Sequence, residues 1–250
     1  MLTIEKSNIV LDGNGYALIG SHGLRLTKVE NVTIKNLTID THYLHLWLDH
    51  TQNCTVENVT SSIFLSNSNS NVISNCTASI DLESSEYNTI KNCNTGEITL
   101  TQSNANSILY NTISTQGSSL GIWDSSNNIV FGNTFAKFWW WIIMTGSSNN
   151  NKIVANNVWA GQIYLVDKLA GTNYIYHNNF WNFNWNHTAN TNSENVWSID
   201  MRGNYWANYS SVDANNDGTG DTPYIIDQTN KDFYPLMVPV DISAELIPAL

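Results

Sequence analysis

Apolar and polar residues alternate along the chain in short segments, which predicts many short β-strands. A recurring phrase carries this alternation, with Asn at both ends of a core that contains Ile or Val, as in Asn31-Val-Thr-Ile-Lys-Asn36 and Asn151-Lys-Ile-Val-Ala-Asn156. Each copy is too short for a helix, and its period of two is that of a strand with one buried face. Further copies begin at Asn53, Asn71, Asn88, Asn106, Asn128 and Asn173.

The spacing of this phrase indicates the fold. Successive copies begin roughly 17 to 23 residues apart, which is typical of a solenoid whose units bury their apolar faces only against one another. Asn tolerates a left-handed backbone at low cost and therefore suits the corners between strands. Because strands stack about 4.8 Å apart, equivalent amides can form ladders. We expect an all-β fold, a parallel β-helix of about nine coils over residues 1–206, followed by an irregular capping segment over residues 207–250.

A third strand precedes the phrase in each repeat and defines a surface that faces outward. Alternation places Leu46, Ile63, Ile80, Ile98 and Ile122 inside the solenoid, so the residue after each of them points to solvent. We expect these outward residues to form one column, and it is where candidate ligand-binding groups are easiest to identify from the sequence. Its members are Trp47, Phe64, Asp81, Thr99, Trp123 and Tyr164.

Few side chains carry a charge, and most of those that do are acidic. Charged residues make up 12% of the chain, the formal net charge is −11, and the two arginines are Arg25 and Arg202. Phosphate binding needs clustered positive charge, so the composition argues against nucleic acid or an anionic membrane as a partner. Neutral glycans and metal cations remain as ligand classes.

The sequence shows neither a membrane span nor a signal peptide. No run of 18 apolar residues is present, and Met1 leads directly into Leu-Thr-Ile-Glu-Lys without a basic segment and an apolar run. We therefore expect an intracellular protein, a processed chain or a fragment. No helix-forming cap precedes the first coil, so its open edge is suited to self-association.

Three cysteines are present: Cys54, Cys76 and Cys93. Their number is odd and their spacing is not that of a metal site. Cys76 and Cys93 each follow the second Asn of neighbouring copies, so we expect them to stack one coil apart. Because a free thiol packs as a small apolar group, buried thiols are favoured over a disulfide or a metal site.

The last quarter of the chain departs from the repeat. It contains Gly203-Asn-Tyr-Trp206, a stretch rich in Asp and Gly over residues 213–221, and Asp232-Phe-Tyr-Pro-Leu236. Together with the Asn phrases, these segments resemble the NosD-like β-helix proteins, particularly archaeal surface forms that end in such segments. The resemblance covers nearly the whole chain. It implies a right-handed β-helix, usually exported to the periplasm or the cell surface, and described either as copper-associated or as carbohydrate-binding and sugar-hydrolysing.

The stretch rich in Asp and Gly matches much of a calcium-binding loop. Hard oxygen ligands are what Ca²⁺ requires, and Gly218 stands where that loop turns sharply. Tyr224 stands where the loop has a bidentate Glu, so Asp227, a carbonyl or water would complete the site. The alternative is a loop of Asx-turns that satisfies its own backbone. The oxygen ligands at the first five positions would be Asp213, Asn215, Asp217, Thr219 and Asp221.

Large aromatic residues gather from Phe135 onward. Trp181, Phe183, Trp185 and His187 fall on one side of an extended segment, where they either close the end of the core or offer faces on which sugar rings stack. If they and the outer column bind sugars, the ligand-binding residues are Trp47, Phe64, Trp123, Tyr164, Trp181 and Trp185.

Copper is the first activity that the resemblance suggests. Copper ligands in proteins are mainly His, Met and Cys. The histidines are dispersed, although three lie close together in sequence, and no Met cluster joins them, so a copper site is not expected. They are His22, His42, His45, His50, His177 and His187.

Polysaccharide chemistry is the second activity. Glycoside hydrolysis needs two carboxyl groups about 5 to 9.5 Å apart, and Asp81, Glu83 and Glu97 could supply them from neighbouring coils. Lyase or epimerase chemistry is less well supported, because neither arginine lies on this face. A non-catalytic surface protein that binds a polysaccharide needs no complete catalytic set, and we prefer this interpretation.

Overall fold

The computed structural model describes residues 1–114, 119–136, 142–159, 163–166, 171–181 and 194–249. Regular structure in these residues is almost entirely β-strand, and one short 3-10 helix spans Ile242–Ala244. The strands are β1 Leu2–Ile4, β2 Val10–Asp12, β3 Ala17–Thr27, β4 Thr33–Asp49, β5 Thr55–Thr60, β6 Ile63–Ser66, β7 Val72–Ser74, β8 Thr77–Glu83, β9 Thr89–Lys91, β10 Asn94–Thr101, β11 Ser107–Leu109, β12 Thr112–Ile113, β13 Leu120–Trp123, β14 Ile129–Phe131, β15 Thr134–Phe135, β16 Ile142–Thr145, β17 Lys152–Val154, β18 Asn157–Val158, β19 Ile163–Val166, β20 Tyr174–Tyr176, β21 Asn179–Phe180, β22 Tyr205–Trp206, β23 Tyr224–Ile225 and β24 Lys231–Asp232.

Parallel pairing joins β1 to β22 into one sheet that coils upon itself. The long strands β3, β4, β5, β8 and β10 run round a corner and contribute to more than one face. The first face stacks β1, β3, β4, β6, β8, β10, β13, β16 and β19. The second face begins at β2 and ends at β20, and the third ends at β21 and β22. The all-β prediction is confirmed as a parallel β-solenoid, with about eight turns in the described residues where about nine coils were predicted.

Two inner columns of the first face form the centre of the core. Their side chains are at most 1% exposed, and burying a Leu or Ile contributes about 1.5–3 kcal/mol. One column ends at Leu120 and not, as predicted, at Ile122, which lies one inward position further on. The first column contains Leu46, Ile63, Ile80, Ile98 and Leu120, and the second contains Leu48, Leu65, Leu82, Leu100 and Ile122.

The corners between strands repeat a left-handed backbone conformation. Asn31 and Asn53 have φ of 55° and 53°, as expected for corner asparagines. The same corner of later coils is occupied by Ser70, Tyr87 and Ala105, whose φ values of 54–58° show that the conformation belongs to the position. Asn adopts it at low cost, whereas Ala and Tyr pay about 1–2 kcal/mol in steric strain.

A second group of asparagines is buried and forms the predicted ladders. In the first ladder, Asn71 donates its Nδ2 to Asn88 Oδ1 over 3.0 Å, and the backbone N–H of Asn106 donates to Asn128 Oδ1 over 2.8 Å. Each Asn side chain forms hydrogen bonds with the adjacent coil. The ladder therefore provides partners for backbone groups at the corners that have none in the strands. Its members are Asn71, Asn88, Asn106, Asn128, Asn151 and Asn173.

The second ladder follows the same rule on the next corner. Asn133 Nδ2 donates to Asn156 Oδ1 over 3.0 Å and to the Ile108 carbonyl over 2.8 Å. Each member is at most 1% exposed. Its members are Asn111, Asn133, Asn156, Asn178 and Asn204.

The three cysteines lie at ladder positions in the early coils. The backbone N–H of Cys54 donates to Asn71 Oδ1, and that of Cys93 donates to Asn111 Oδ1. The Cys76 N–H faces Cys93 Sγ at 3.4 Å, which confirms the predicted stacking one coil apart. Within the described residues, all three thiols are free and buried. They therefore extend both ladders with small, weakly polar groups.

The C-terminal segment closes the last coil. The Tyr224 ring stacks on Trp206 with centroids 4.4 Å apart, and Trp206 stacks on Phe180 at 4.3 Å. Asn230 and Asp232 then end the two ladders: Asn230 Oδ1 accepts the Asn195 N–H, and Asp232 Oδ2 accepts the Trp206 Nε1–H over 2.9 Å. The first coil has no equivalent cover in the described residues, and Val10 and Ile19 are exposed there.

Candidate functional site

Two columns of side chains point outward from the first face. One column contains His45, Ser62 and Ser79, each of which directly precedes a residue of the first inner column. The other contains Trp47, Phe64 and Asp81, in direct register from coil to coil. Because residues two apart on a strand share a face, both columns line the same surface. We call this surface the groove face.

An aromatic pair forms one end of the groove face. Trp47 and Phe64 lie in adjacent coils with ring centroids 5.9 Å apart and planes inclined by 50°. The Arg25 guanidinium lies 4.2 Å from the Trp47 ring centroid and binds the Asp49 carboxylate. This cation–π contact and the ion pair hold the indole in place, so the two rings form a fixed platform.

Two carboxyl groups lie beside this platform. Asp81 pairs with Thr99, and Glu97 lies two residues before Thr99 on the next strand. Strand spacings of about 4.8 Å and 3.3 Å per residue place their Cα atoms about 8 Å apart. A bulge sets Gly96 and Glu97 opposite Ser79 alone, and such bulges redirect a side chain. Asp81 and Glu97 are therefore diagonal neighbours on the groove face.

Both carboxyl groups are shifted toward the protonated form. Burial raises the pKa of Asp81, although a hydrogen bond from Thr99 partly offsets this effect. Burial also raises the pKa of Glu97, and the negative charge of Asp81 raises it further. The two carboxylates thus repel each other across the groove face. Glu83 lies on the same side of its strand but in a different column, with Ser66 and Thr101.

Two adjoining cavities follow the groove face round its corner. The smaller, about 190 Å³, lies between Tyr43, Trp47, Phe64 and Asp81. The larger, about 440 Å³, has a hydroxyl-bearing side chain at six of its twelve lining residues, and we call it the hydroxyl-lined cavity. Both cavities are lined by His45 and Ser62, so they form one groove with an aromatic end and a hydroxyl end. The hydroxyl-bearing residues of the larger cavity are Thr38, Thr60, Ser61, Ser62, Thr77 and Ser79.

Trp123 does not belong to the column in which the sequence placed it. It pairs with Thr101, and Gly121 takes the outward position beside Thr99. Trp123 therefore lies in the column of Glu83, at 41% exposure, and not beside Asp81. Tyr164 keeps the predicted column by backbone register, because it pairs with Ile143 and Ile143 pairs with Gly121.

Trp181, the one predicted C-terminal ring that lies within the described residues, is separate from the groove. Trp181 stacks on Trp159 with centroids 4.9 Å apart and planes inclined by 11°. Trp181 directly follows β21, on the third face, and its indole donates to Asn157 Oδ1 over 3.3 Å. Trp185, Phe183 and His187 lie outside the described residues. A role for Trp181 in ligand binding stays a prediction.

The loop rich in Asp and Gly is closed by its own hydrogen bonds. Asp213 accepts the backbone N–H groups of Asp217 and Gly218, over 3.1 and 2.9 Å. Asp217 accepts the Thr219 N–H over 2.8 Å, and this bond lowers the pKa of the Asp217 carboxyl. Asp221 accepts the Ala214 N–H. The Asp217–Thr219 bond is an Asx-turn, and the other bonds also satisfy the backbone of the loop, as in the alternative interpretation. Calcium binding by Asp213, Asn215, Asp217, Thr219 and Asp221 stays a prediction.

The described residues do not assemble a copper site. Among them, no three His, Cys, Asp or Glu side chains come together in a metal-binding group. His50 contacts Asp49, and His177 contacts Glu245 at 2.9 Å near the C-terminal 3-10 helix. The thiol of Cys76 faces the Ser74 carbonyl inside the core. The expectation that no copper is bound stays a prediction.

Three residues of the groove were not among the ligand-binding residues predicted from the sequence. His45 and Ser62 are shared by both cavities, and Arg25 supports Trp47. His45 was recognisable as outward-facing, because it precedes the inward Leu46. Arg25 was not, and the prediction that neither arginine lies on this face is wrong for it, because the register between β3 and β4 places Arg25 beside Trp47.

Fold and groove together define a parallel β-solenoid with a ligand-sized groove on one face. A family model described as periplasmic copper-binding protein (NosD) matches residues 3–211, so the chain belongs to the NosD family. A search of curated proteins finds no match. Within the described residues, no helix has the length and apolar character needed to cross a membrane.

One solved structure with a detectable similarity is full-length QnrB1, a plasmid-mediated fluoroquinolone resistance protein. The identity is 14%, the TM-score is 0.29, and the alignment covers 79% of this chain and 90% of the other. A similarity this low supports no inference about function.

Proposed function

We propose that this NosD-family protein is a non-catalytic, exported polysaccharide-binding protein and that the groove face is its binding site. The observation that carries the proposal is the joining of an aromatic platform, Trp47 and Phe64, to a hydroxyl-lined cavity through His45 and Ser62. A sugar presents apolar C–H faces and a rim of hydroxyl groups, so it needs both kinds of surface.

The geometry of the solenoid suits an extended chain. Successive coils repeat about every 4.8 Å, which is close to the length of one sugar unit in an extended polysaccharide. Trp47 and Phe64 stand in successive coils, so successive sugars can meet successive coils. The groove is preformed by backbone register, which lowers the entropy that binding must overcome.

A glycan panel tests the proposal, with titration calorimetry on the intact protein as the readout. Trp47→Ala is expected to weaken binding about tenfold, since one ring contact contributes on the order of 1 kcal/mol. Trp123→Ala is the matched control, because Trp123 is also an exposed indole on this face but lies in another column. Equal losses from both substitutions would contradict the placement of the site.

Hydrolysis is the second candidate, because Asp81 and Glu97 both have a raised pKa and lie on adjacent coils. A general acid needs a raised pKa, and a second carboxyl group must stand within several ångströms. Measuring reducing ends released from each glycan that binds decides between the two candidates. If the parent protein shows turnover, and Asp81→Asn or Glu97→Gln abolishes it while binding is retained, hydrolysis would replace the non-catalytic proposal. In that experiment Glu83→Gln reports whether the third predicted carboxylate takes part.

A further inference from the structure

The groove carries negative charge that no described residue neutralises. Asp40 lines the larger cavity, Asp81 lines the smaller one, and Glu97 directly follows Gly96, which lines the larger cavity. In the described part of the chain, the ion pairs formed by acidic residues involve Asp12, Asp49 and Glu245. None of the three groove carboxylates is among them.

The nearby basic side chains have other partners. Arg25 is committed to Asp49 and to the Trp47 ring. His45 contacts the Thr41 hydroxyl at 3.5 Å. Glu83, in the next column, adds a further carboxylate to the same side of β8. A ligand in this groove therefore meets an aromatic platform on one side and uncompensated carboxylates on the other.

The repulsion between Asp81 and Glu97 favours a ligand that carries a positive charge. A positive group placed between them would relieve the repulsion and form charge-assisted hydrogen bonds with both oxygens. An ammonium group offers three donors on one centre, which suits two carboxylates on adjacent coils. Trp47 and Phe64 add attraction, because ring faces favour cations. A uronic acid polymer would instead be repelled.

On the basis of the proposed function, we infer that the groove selects polysaccharides that bear free amino groups. The ammonium group of an amino sugar lies between Asp81 and Glu97, and a neighbouring sugar ring lies on Trp47 and Phe64. The hydroxyl-lined cavity receives the chain beyond His45. The formal net charge of −11 further favours the approach of a cationic polymer.

A comparison of two oligomers tests this inference. Glucosamine hexamer and N-acetylglucosamine hexamer share one backbone but differ in charge. Titration calorimetry at low salt, at a pH where the amines are protonated and the carboxylates ionised, is expected to show at least tenfold tighter binding of the free amine. Asp81→Asn with Glu97→Gln should abolish this preference, because the free amine then loses its charge-assisted partners.

Matched variants separate the outcomes. Glu57→Gln removes an exposed charge from the second face and is expected to change the preference by less than twofold. Trp47→Ala should weaken binding of both oligomers. Equal affinities in the parent protein would overturn the selectivity, and so would an equal effect of Glu57→Gln. Failure of every glycan, acetylated or free, to bind would overturn the proposed function itself.

Discussion

Asp232 stands directly beyond Asn204 in the second ladder, and its Oδ2 accepts the Asn204 backbone N–H over 2.7 Å. The same oxygen accepts the Asn204 amide and the Trp206 indole N–H, while Oδ1 accepts the Tyr234 N–H. Asp232 is fully buried, and burial raises the pKa of its carboxyl. One carboxyl group thus replaces the coil that the ladder would otherwise continue into.

Asp232→Ala is expected to destabilise the C-terminal end by about 3 kcal/mol or more, because it leaves several buried donors without an acceptor. Urea unfolding and hydrogen exchange at Tyr205 and Trp206 measure the loss. Asp40→Ala is the control, since this residue is exposed, and it should change stability by less than about 0.5 kcal/mol. A similar loss from both variants would show that Asp232 does not act as a cap.

The internal ladder residues are expected to be equally sensitive. Asn133→Ala leaves the Asn111 N–H without its acceptor and removes a donor from the Ile108 and Phe131 carbonyls, and we expect a loss of about 2–4 kcal/mol. Asn94→Ala, at an exposed strand position, should cost under about 1 kcal/mol. Thermal unfolding of the two variants compares them directly. A neutral Asn133→Ala would mean that the amide ladders contribute little.

Relief of a strained corner should stabilise the protein. Ala105 has φ of 54°, which Gly adopts without the clash of a Cβ atom, so Ala105→Gly is expected to gain about 0.5–1 kcal/mol. Ala78→Gly, at the second residue of β8, should lose a similar amount, because Gly adds entropy to the unfolded chain there. Chemical denaturation distinguishes the signs. A loss at both positions would show that the corner at Ala105 carries no strain.

Removal of the groove carboxylates should change stability with pH. The pKa values of Asp81 and Glu97 are raised in the folded state, so folded protein holds these protons more tightly than unfolded protein. Their ionisation therefore lowers stability as pH rises from the unfolded values, about 4, toward the folded ones. Asp81→Asn with Glu97→Gln should be more stable than the parent at pH 7 and equal to it at pH 3. Solvent screening limits the gain to about 1 kcal/mol or less. A variant that is less stable at pH 7 would contradict this sign.

Calcium binding by the loop rich in Asp and Gly makes a prediction of its own. If Asp213, Asn215 and Asp217 turn oxygen atoms toward a bound ion, millimolar Ca²⁺ should raise Tm by about 2–4 °C for each kcal/mol of binding energy. Asp213→Asn with Asp217→Asn should remove the response, and Mg²⁺ at the same concentration controls for ionic strength. An unchanged Tm in calcium-free parent protein would leave only the Asx-turns.

The solenoid was predictable from the sequence because period-two alternation and regularly spaced asparagines recur along the chain. The register of Trp123 was not, because a slip of two residues keeps every side chain on its own face. The alternation of Leu120, Gly121, Ile122 and Trp123 therefore fits two registers equally well. The proximity of Asp81 and Glu97 was partly predictable, since the sequence placed them on adjacent coils. The bulge that orients Glu97 was not predictable, because it depends on pairing with Ser79.

The repeated phrase also concealed two different roles for Asn. Asn53 is an exposed corner residue with φ of 53°, whereas Asn71, which begins the next copy, is a buried ladder residue. Cys54, not Asn53, is the partner of Asn71. Backbone conformation and burial distinguish these roles, and neither is visible in residue identity alone.

The residues at the ladder positions change from apolar groups and thiols in early coils to amides in later coils. Early coils hold Val32, Cys54, Cys76 and Cys93 where later coils hold Asn128, Asn133 and Asn156. Apolar burial weakens on cooling, whereas hydrogen-bonded amides do not depend on that driving force. On cooling, the apolar early coils should therefore lose their order first, while the amide-lined later coils keep theirs.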